Sequence, residues 1–464
     1  MATAFSAGAV AETLLTLEGE MKAADPVRSA LARAGAWLLR RTDAQVLNQV
    51  AGAASALAAL ARLTGEARFA AGARAKLREL EGAQSPEGWF PEYGGPDVGY
   101  LSVTVEHLVK VHEHLGEPLA LALAERACGF LAYTLQPDGG AGGCVGSRNT
   151  QYLLPHGVER LAPGFPAARV LAEAIRRGME AGRAVVPAAV DDKYLAFYSA
   201  SLLLAARDAS PDLDTGTDKR AGGSALTSGS PADHLVRPGE PVRTSWFPEA
   251  GWWIAETPML HLIAAARKGG AFRVVFRATG TVLEDGGVWI ARERGRPLTS
   301  AWLVSSRPPN VGQALTSEDG RLQLQGPLWA VGPPIMSPGR FAALRIVQHA
   351  LGRWEPVARW VKARLRQRVI HGARLRREQF YREVWVEGEA LTILDEVELP
   401  PGAVELLTGA PLPAIYGESS RYYAGRQLPA IQLRREEWPP GRRLRLIRTY
   451  SATGALLGLE VMAG

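Results

Sequence analysis

Between Gly146 and Gly157 the chain reads Gly-Ser-Arg-Asn-Thr-Gln-Tyr-Leu-Leu-Pro-His-Gly. From Arg148 to His156 this stretch offers a guanidinium, two carboxamides (Asn149 and Gln151), a phenol (Tyr152) and an imidazole. A guanidinium fork fits carboxylates and phosphates alike. Pro155 disfavours helix immediately before itself, so a helix is predicted to begin there with His156 in its first turn. A helix N-terminus disfavours imidazolium, which leaves His156 neutral and able to accept a proton. The plainer alternative is a histidine that caps a turn, with Tyr152 packed beneath it.

A second constellation is Glu92-Tyr-Gly-Gly-Pro-Asp-Val-Gly-Tyr100. Gly94, Gly95 and Gly99 let backbone approach a ligand closely. Tyr93, Tyr100 and the nearby Trp89 supply flat faces for stacking; the alternative is a packed loop with its aromatics buried. Tyr194 and Tyr198 stand four apart and share a helix face. Asp191 and Asp192 precede them at a helix start, where capping is the ordinary role. Asn48 and Gln49 offer amides near the start of an Ala-rich helix. His107, His112 and His114 read as an exposed helix face and not as a metal site. The arginines at 364, 366, 368, 374, 376 and 377 read as a solvated face paired with Glu378, Glu383 and Glu387; the alternative is a grip on a polyanion. No P-loop, serine elbow or dinucleotide fingerprint is present.

These groups sit at recurring joins, where a polar or Gly-rich loop feeds a helix. Apolar residues at three- and four-residue spacing predict helices near 26–41, 44–63, 66–82, 100–115, 118–135, 155–161, 166–182 and 191–207. Gly65 and Gly116 stand at helix ends. Pro26, Pro118 and Pro166 suit first turns, and Asp25 suits a cap. The helices pair into hairpins of roughly fifty residues, the mark of a helical solenoid or toroid. Smooth helices such as Asn48 to Leu63 belong inside and charged ones such as Glu66 to Glu81 outside. If the pairs surround one axis, the joins meet at one mouth. Residues 208–233 are rich in Asp, Ser, Thr, Gly and Pro and read as a linker. Beyond them the period shifts to two, around 273–276, 288–290, 321–325, 383–387, 391–394 and 443–447, which predicts a β-sandwich. A basic helical insert is predicted from Trp354 to Gln367.

The 464 residues suffice for two or three domains. No apolar run is long enough to span a membrane. The first residues lack the basic start of a secretory signal, so a cytoplasmic location is expected. Two cysteines make neither a disulfide framework nor a cysteine zinc site. A net charge of +6 favours anionic partners, but the dispersed basic residues and the lack of a known binding module argue against nucleic acid.

In order along the chain, several short matches resemble the heparinase II/III-like polysaccharide lyases and their alginate-lyase relatives. They are Gly88-Trp-Phe-Pro-Glu-Tyr-Gly-Gly95 with Gly99-Tyr100, and Gly146-Ser-Arg-Asn149. Ala250-Gly251, Ala266-Arg-Lys-Gly-Gly270, Asp285-Gly-Gly287, and the Arg376-Arg377 strand leading to Leu394-Asp395 follow. The resemblance spans about residues 26–450. It implies an α+β multidomain chain, with an incomplete α/α toroid over 26–207 and an antiparallel β-sandwich over 234–464. Residues 1–25 are then an N-terminal extension and 208–233 a linker.

The same resemblance implies β-elimination on an anionic, uronate-containing glycan. No cofactor is expected, and no metal, since the His-rich metal site that some of these lyases carry in the sandwich has no match here. The uronate carboxylate must be neutralised, a base must take the C5 proton, and an acid must protonate the leaving O4. Mapped onto this chain, Asn149 and Arg148 neutralise, His156 is the base, and Tyr152 or Tyr100 the acid. Arg148, Trp89, Tyr93, Gln151, Tyr194, Tyr198 and Asn48 bind substrate, with Tyr198 a reserve acid. In many of these lyases an Asn-His pair is adjacent; here Asn149 and His156 lie apart. Two rival functions are a glycoside hydrolase using carboxylates among Glu92, Asp97, Asp138 and Asp191, and a non-catalytic glycan binder using Trp89, Tyr93 and Tyr100.

Overall fold

A computed structural model describes residues 2–17, 24–42, 46–137, 139–182, 192–209, 242–301, 315–317, 320–331, 337–351, 354, 374–410 and 428–464. The chain divides into two compact units. The first is Met1–Gly142 with Thr150–Arg237; the second is Gly143–Asn149 with Pro238–Gly464.

The first unit is helical: α1 (Ala2–Thr16), α2 (Ala24–Leu38), α3 (Leu47–Thr64), α4 (Ala67–Ala83), α5 (Val98–Leu115), α6 (Pro118–Thr134), α7 (His156–Leu161), α8 (Pro166–Glu180) and α9 (Asp192–Asp208). Each of the eight predicted helices is present within one turn of its expected ends. Gly65 and Gly116 end α3 and α5 in the left-handed conformation, at φ 72° and 67°. Pro118 and Pro166 occupy first-turn positions of α6 and α8. Asp25 lies inside the first turn of α2 and not before it.

Odd-numbered helices form one layer, α1 on α3, α3 on α5, α5 on α7 and α7 on α9. Even-numbered helices back them, α4 on α6 and α6 on α8, with α3·α4 and α5·α6 as hairpins. The Ala-rich α3 is buried along nearly its whole length, whereas α4 buries one stripe. This double layer is the hairpin architecture of an incomplete α/α toroid. Gly157 lets α7 press onto α5, since a Cβ there would lie 2.7 Å from the Glu106 Cα. Within the N-terminal extension, α1 packs against α3 and α2, and Ala4, Ala7, Ala11 and Leu14 are buried.

The second unit carries two antiparallel sheets. The first is a meander of β1 (Arg243–Phe247), β2 (Trp252–Glu256), β3 (Leu260–Ala265), β4 (Ala271–Phe276) and β5 (Thr281–Asp285). The second comprises β6 (Trp289–Arg292), β7 (Leu298–Thr299), β8 (Leu315–Ser317), β9 (Arg321–Ala330), β10 (Arg374–Glu387), β11 (Ala390–Glu398), β12 (Ala403–Thr408), β13 (Ile431–Arg434), β14 (Arg443–Tyr450) and β15 (Leu456–Ala463). Its order is β13-β12-β6-β7-β9-β10-β11-β14-β15, with β8 also on β9. Phe272, Val274 and Phe276 from one sheet share a core with Leu322, Val384, Ile393 and Leu446 from the other, which makes the pair a sandwich. A helix, α10 (Pro338–Leu351), stands between β9 and β10. Most of the insert predicted at 354–367 and of the linker at 208–233 lies outside the described residues.

Four charges sit at the centre of the sandwich. Arg382 and Arg448 are fully buried beside Asp285 and Asp395. Arg382 forks onto Asp395 at 2.6 and 3.0 Å and reaches Asp285 at 3.2 Å. Arg448 bridges both carboxylates at 2.6 and 2.5 Å. The Gly287 amide donates to Asp285 at 2.6 Å, and Arg382 also donates to the Gly270 carbonyl at 3.0 Å. Paired in this way, the four ions offset one another's desolvation and tie β5, β10, β11, β14 and the Lys268-Gly-Gly270 turn together.

Candidate active site

The loops that feed the inner helices of the first unit are bonded to one another. Ahead of α3, Leu47 N–H donates to the Pro91 carbonyl at 3.4 Å. The Asn48 carboxamide donates to Glu92 at 2.7 Å, both groups being buried. Asp97 caps α5 by accepting from the Tyr100 amide at 3.2 Å and also accepts from the Thr150 hydroxyl. That hydroxyl in turn accepts from the Gly99 amide at 2.9 Å. Gly99 has a steric reason: a Cβ there would lie 2.4 Å from Thr150 Oγ1 and 3.0 Å from the Tyr152 carbonyl. This close approach sets Tyr100 and Tyr152 edge to face, with ring centroids 6.4 Å apart. Tyr152 is buried and Tyr100 half-buried.

Asp97→Ala removes a helix cap and leaves buried Thr150 without its acceptor. We expect a loss of about 2–3 kcal/mol, read as a lower chemical-denaturation midpoint with unchanged slope.

Arg148 and Asn149 lie in the turn Gly143–Asn149, which belongs to the second unit and joins Thr150 by one peptide bond. The Lys268 ammonium organises this turn. It donates to the Cys144 carbonyl at 2.7 Å, the Gly146 carbonyl at 2.8 Å, and the Asn149 side-chain oxygen. Cys144 is buried, with its thiol 3.1 Å from the Phe272 carbonyl; burial pushes that thiol well above its ordinary range, so it is no nucleophile. With its oxygen held by a cation, the Asn149 carboxamide presents its NH2 group as a donor. Asn149 has φ 55° and Tyr93 φ 54°, the non-glycine residues at positive φ among those described. Such backbone costs about 1–3 kcal/mol and gathers at functional sites.

Lys268 was not picked out by sequence reasoning as a site residue. Its signal is the Lys-Gly-Gly turn after β3, where Gly269 and Gly270 take φ 63° and 71°. Lys268→Met strips a charged donor from three oxygens. We expect a loss of about 2–3 kcal/mol, with amide exchange at Gly146 to Asn149 accelerating before the rest of the sandwich.

His156 has a different setting from the one expected. It stands at the first position of α7 but is buried, and its Nε2 lies 3.2 Å from Asp208. Its backbone amide donates to Ser201 at 3.2 Å. Donor atoms of Glu113, His156 and Asp208 lie within 4.8 Å of one another. Arg160 bonds Glu113 at 2.7 Å and approaches Asp208 at 3.8 Å. Arg207 bonds Asp208 at 2.7 and 2.9 Å and, with burial opposing and His156 assisting, holds that carboxyl below its usual range. The two carboxylates already face two guanidinium groups, so this is an ionic cluster between α5, α7 and α9. His156 is 1% exposed and sits inside this cluster.

The remaining residues divide. Tyr93, Arg148 and Gln151 are half-buried and open in part to solvent. Trp89 is only 7% exposed and bonds Glu87 through its indole N–H at 2.9 Å, so its ring is packed and not a stacking platform. Asn48 is committed to Glu92. Tyr198 is 4% exposed and burial raises its phenol, which removes it as a reserve acid. Tyr194 lies near the start of α9. The three nearby histidines share no site. His107 is buried against Phe5 with ring centroids 5.4 Å apart, and burial, assisted by Lys110, pushes it down to about 4. His114 instead bonds Glu12 at 2.6 Å. Of the carboxylates a hydrolase would need, Asp97 serves as a cap and Asp138 and Asp191 lie outside the described residues.

No helix is long and apolar enough to cross a membrane among the described residues. No protein-family model matches the sequence, and no curated protein matches it significantly. Among solved structures, the Streptomyces coelicolor A3 chondroitin AC lyase, in complex with chondroitin sulphate, aligns at 14% identity and TM-score 0.49, covering 87% of this chain and 55% of that one. Heparinase III aligns at 11% identity and TM-score 0.46, covering 87% and 56%. This chain spans little more than half the length of either.

Proposed function

We propose that the chain is a carbohydrate-active enzyme that cleaves a uronate-containing glycan by β-elimination. The observation that carries this reading is the phenol pair Tyr100–Tyr152 at the joined helix starts. Along the chain it follows directly on an arginine and a strained asparagine whose amide is set as a donor. β-Elimination needs these groups: donors to draw charge from the uronate carboxylate, and two proton carriers.

In this reading the uronate carboxylate is neutralised so that the C5 proton becomes acidic, the role the family resemblance gives Asn149 and Arg148. Tyr152 takes that proton as phenolate. The C5 electron pair forms the C4–C5 double bond, the C4–O4 bond breaks, and Tyr100, the more exposed phenol, protonates O4. Tyr93 and Gln151 line the approach. His156 is a framework residue that ties α7 to α9. A net charge of +6 assists capture of an anionic chain.

The test is a panel of uronate-containing oligosaccharides, each followed by the ultraviolet absorbance of the unsaturated uronate product. Absorbance growth on at least one member supports the reading. New reducing ends without absorbance would replace it with hydrolysis. His156→Gln separates the two assignments of the base: within the folded fraction, turnover stays within about tenfold of the parent if a phenol is the base.

A further inference from the structure

The outer face of the larger sheet holds a cavity of about 700 Å3 that takes no part in the chemistry above. Its origin lies in one residue. Pro327 in β9 has no N–H to give the ladder, and the β9–β10 register breaks between Leu375 and Gln379. The bulge frees the Gln379 amide, which turns to Glu398 on β11 at 3.0 Å. Glu398 is held from its other side by Arg443 of β14 at 2.9 Å. The strands stay linked around the gap, and the gap stays open.

The lining sets polar groups beside apolar surface from Pro327, Phe380 and Val397. Gln325, Tyr381 and Glu396 stand opposite one another in register on β9, β10 and β11, with Arg445 opposite Glu396 on β14. Strands lie about 4.8 Å apart, so the row from Gln325 to Glu396 covers about 10 Å, the reach of a disaccharide. Tyr381 is fixed by a bond from its hydroxyl to Glu383 at 3.1 Å, which leaves its ring as a rigid face. Among the described residues the exposed Gln325 carboxamide has no protein partner. The two glutamates are matched by Arg443 and Arg445, at 2.9 and 3.2 Å, so the charges cancel. Vicinal hydroxyls suit such carboxamides and pre-paired ions, and an apolar sugar face suits a ring. Among the described lining residues an anion finds no uncompensated cation.

We infer that this cavity is a binding site for uncharged hexose units, separate from the eliminating site and independent of that chemistry. Titration calorimetry and saturation-transfer NMR on the full chain test it, with cellohexaose, maltohexaose and mannohexaose as probes and a hexauronate as the charged comparison. At least one neutral hexasaccharide should bind. Its affinity should fall about tenfold in Gln325→Ala and in Tyr381→Ala, less in Tyr381→Phe, and not at all in Tyr152→Phe. Gln325 is exposed, so its variant retains the fold, checked by an unchanged melting curve. The inference is overturned if none of the three neutral probes binds, if binding is unmoved by Gln325→Ala and Tyr381→Ala, or if those variants weaken only the hexauronate. Loss of eliminase activity on every glycan would end the proposed function and leave this result untouched.

Discussion

Tyr152→Phe is expected to lower turnover of a cleaved uronate glycan about a hundred- to ten-thousandfold, the range for losing a positioned proton carrier. The ring remains, so the edge-to-face contact with Tyr100 and the packing around Gly99 remain with it. Stability should therefore change little, and the loss should fall on kcat, because the hydroxyl acts when the C5–H bond breaks. Tyr100→Phe should behave alike, but with a smaller loss on substrates carrying an activated leaving group, for which protonation of O4 matters less. A Tyr152→Phe enzyme with parental kcat would remove the phenol from the chemistry.

Arg448→Met should be the most damaging single change to stability. It leaves Asp285 and Asp395 buried with one guanidinium between them, and breaking a buried ionic group in this way costs about 3–5 kcal/mol. We expect the second unit to lose its cooperative melting transition while the helical signal persists. The pH dependence has a definite sign. Burial pushes the Asp285 carboxyl up, but Arg382 and Arg448 outweigh it and hold it below the usual range. A group depressed on folding stabilises fully above its unfolded value, near 3.9, and that contribution is lost as pH falls through the folded value. Melting of the sandwich in the parent should thus be level from about pH 7 to 5 and decline below about pH 4. A decline beginning near neutrality would point to another group.

Much of the helical half is legible because its punctuation is local. Gly65, Gly116, Pro118 and Pro166 mark ends by backbone conformation alone. The first helix escaped notice because Ala2–Thr16 carries little contrast between faces, and its burial comes from α3. The candidate site is legible in part for the same reason. Tyr100 and Tyr152 follow loops whose glycines force a close approach, and the type and spacing of those residues are visible in the chain. What settles His156 is not visible locally, since its partner Asp208 comes 52 residues later. Lys268 likewise finds Asn149 across 119 residues. The four buried charges did leave a trace. In Phe380-Tyr-Arg-Glu-Val384, Arg382 falls on the inward parity of an alternating strand, as Arg448 does between Leu446 and Tyr450. A charge at an inward position calls for a buried counter-charge, and Asp285 and Asp395 supply it.

The most direct measurement is cleavage of a responsive uronate glycan in heavy-oxygen water, with the products weighed by mass spectrometry. Elimination breaks the C4–O4 bond without adding water, so neither fragment should carry the label and one should end in an unsaturated uronate. One heavy oxygen per cleavage, with no unsaturated end, would contradict the account.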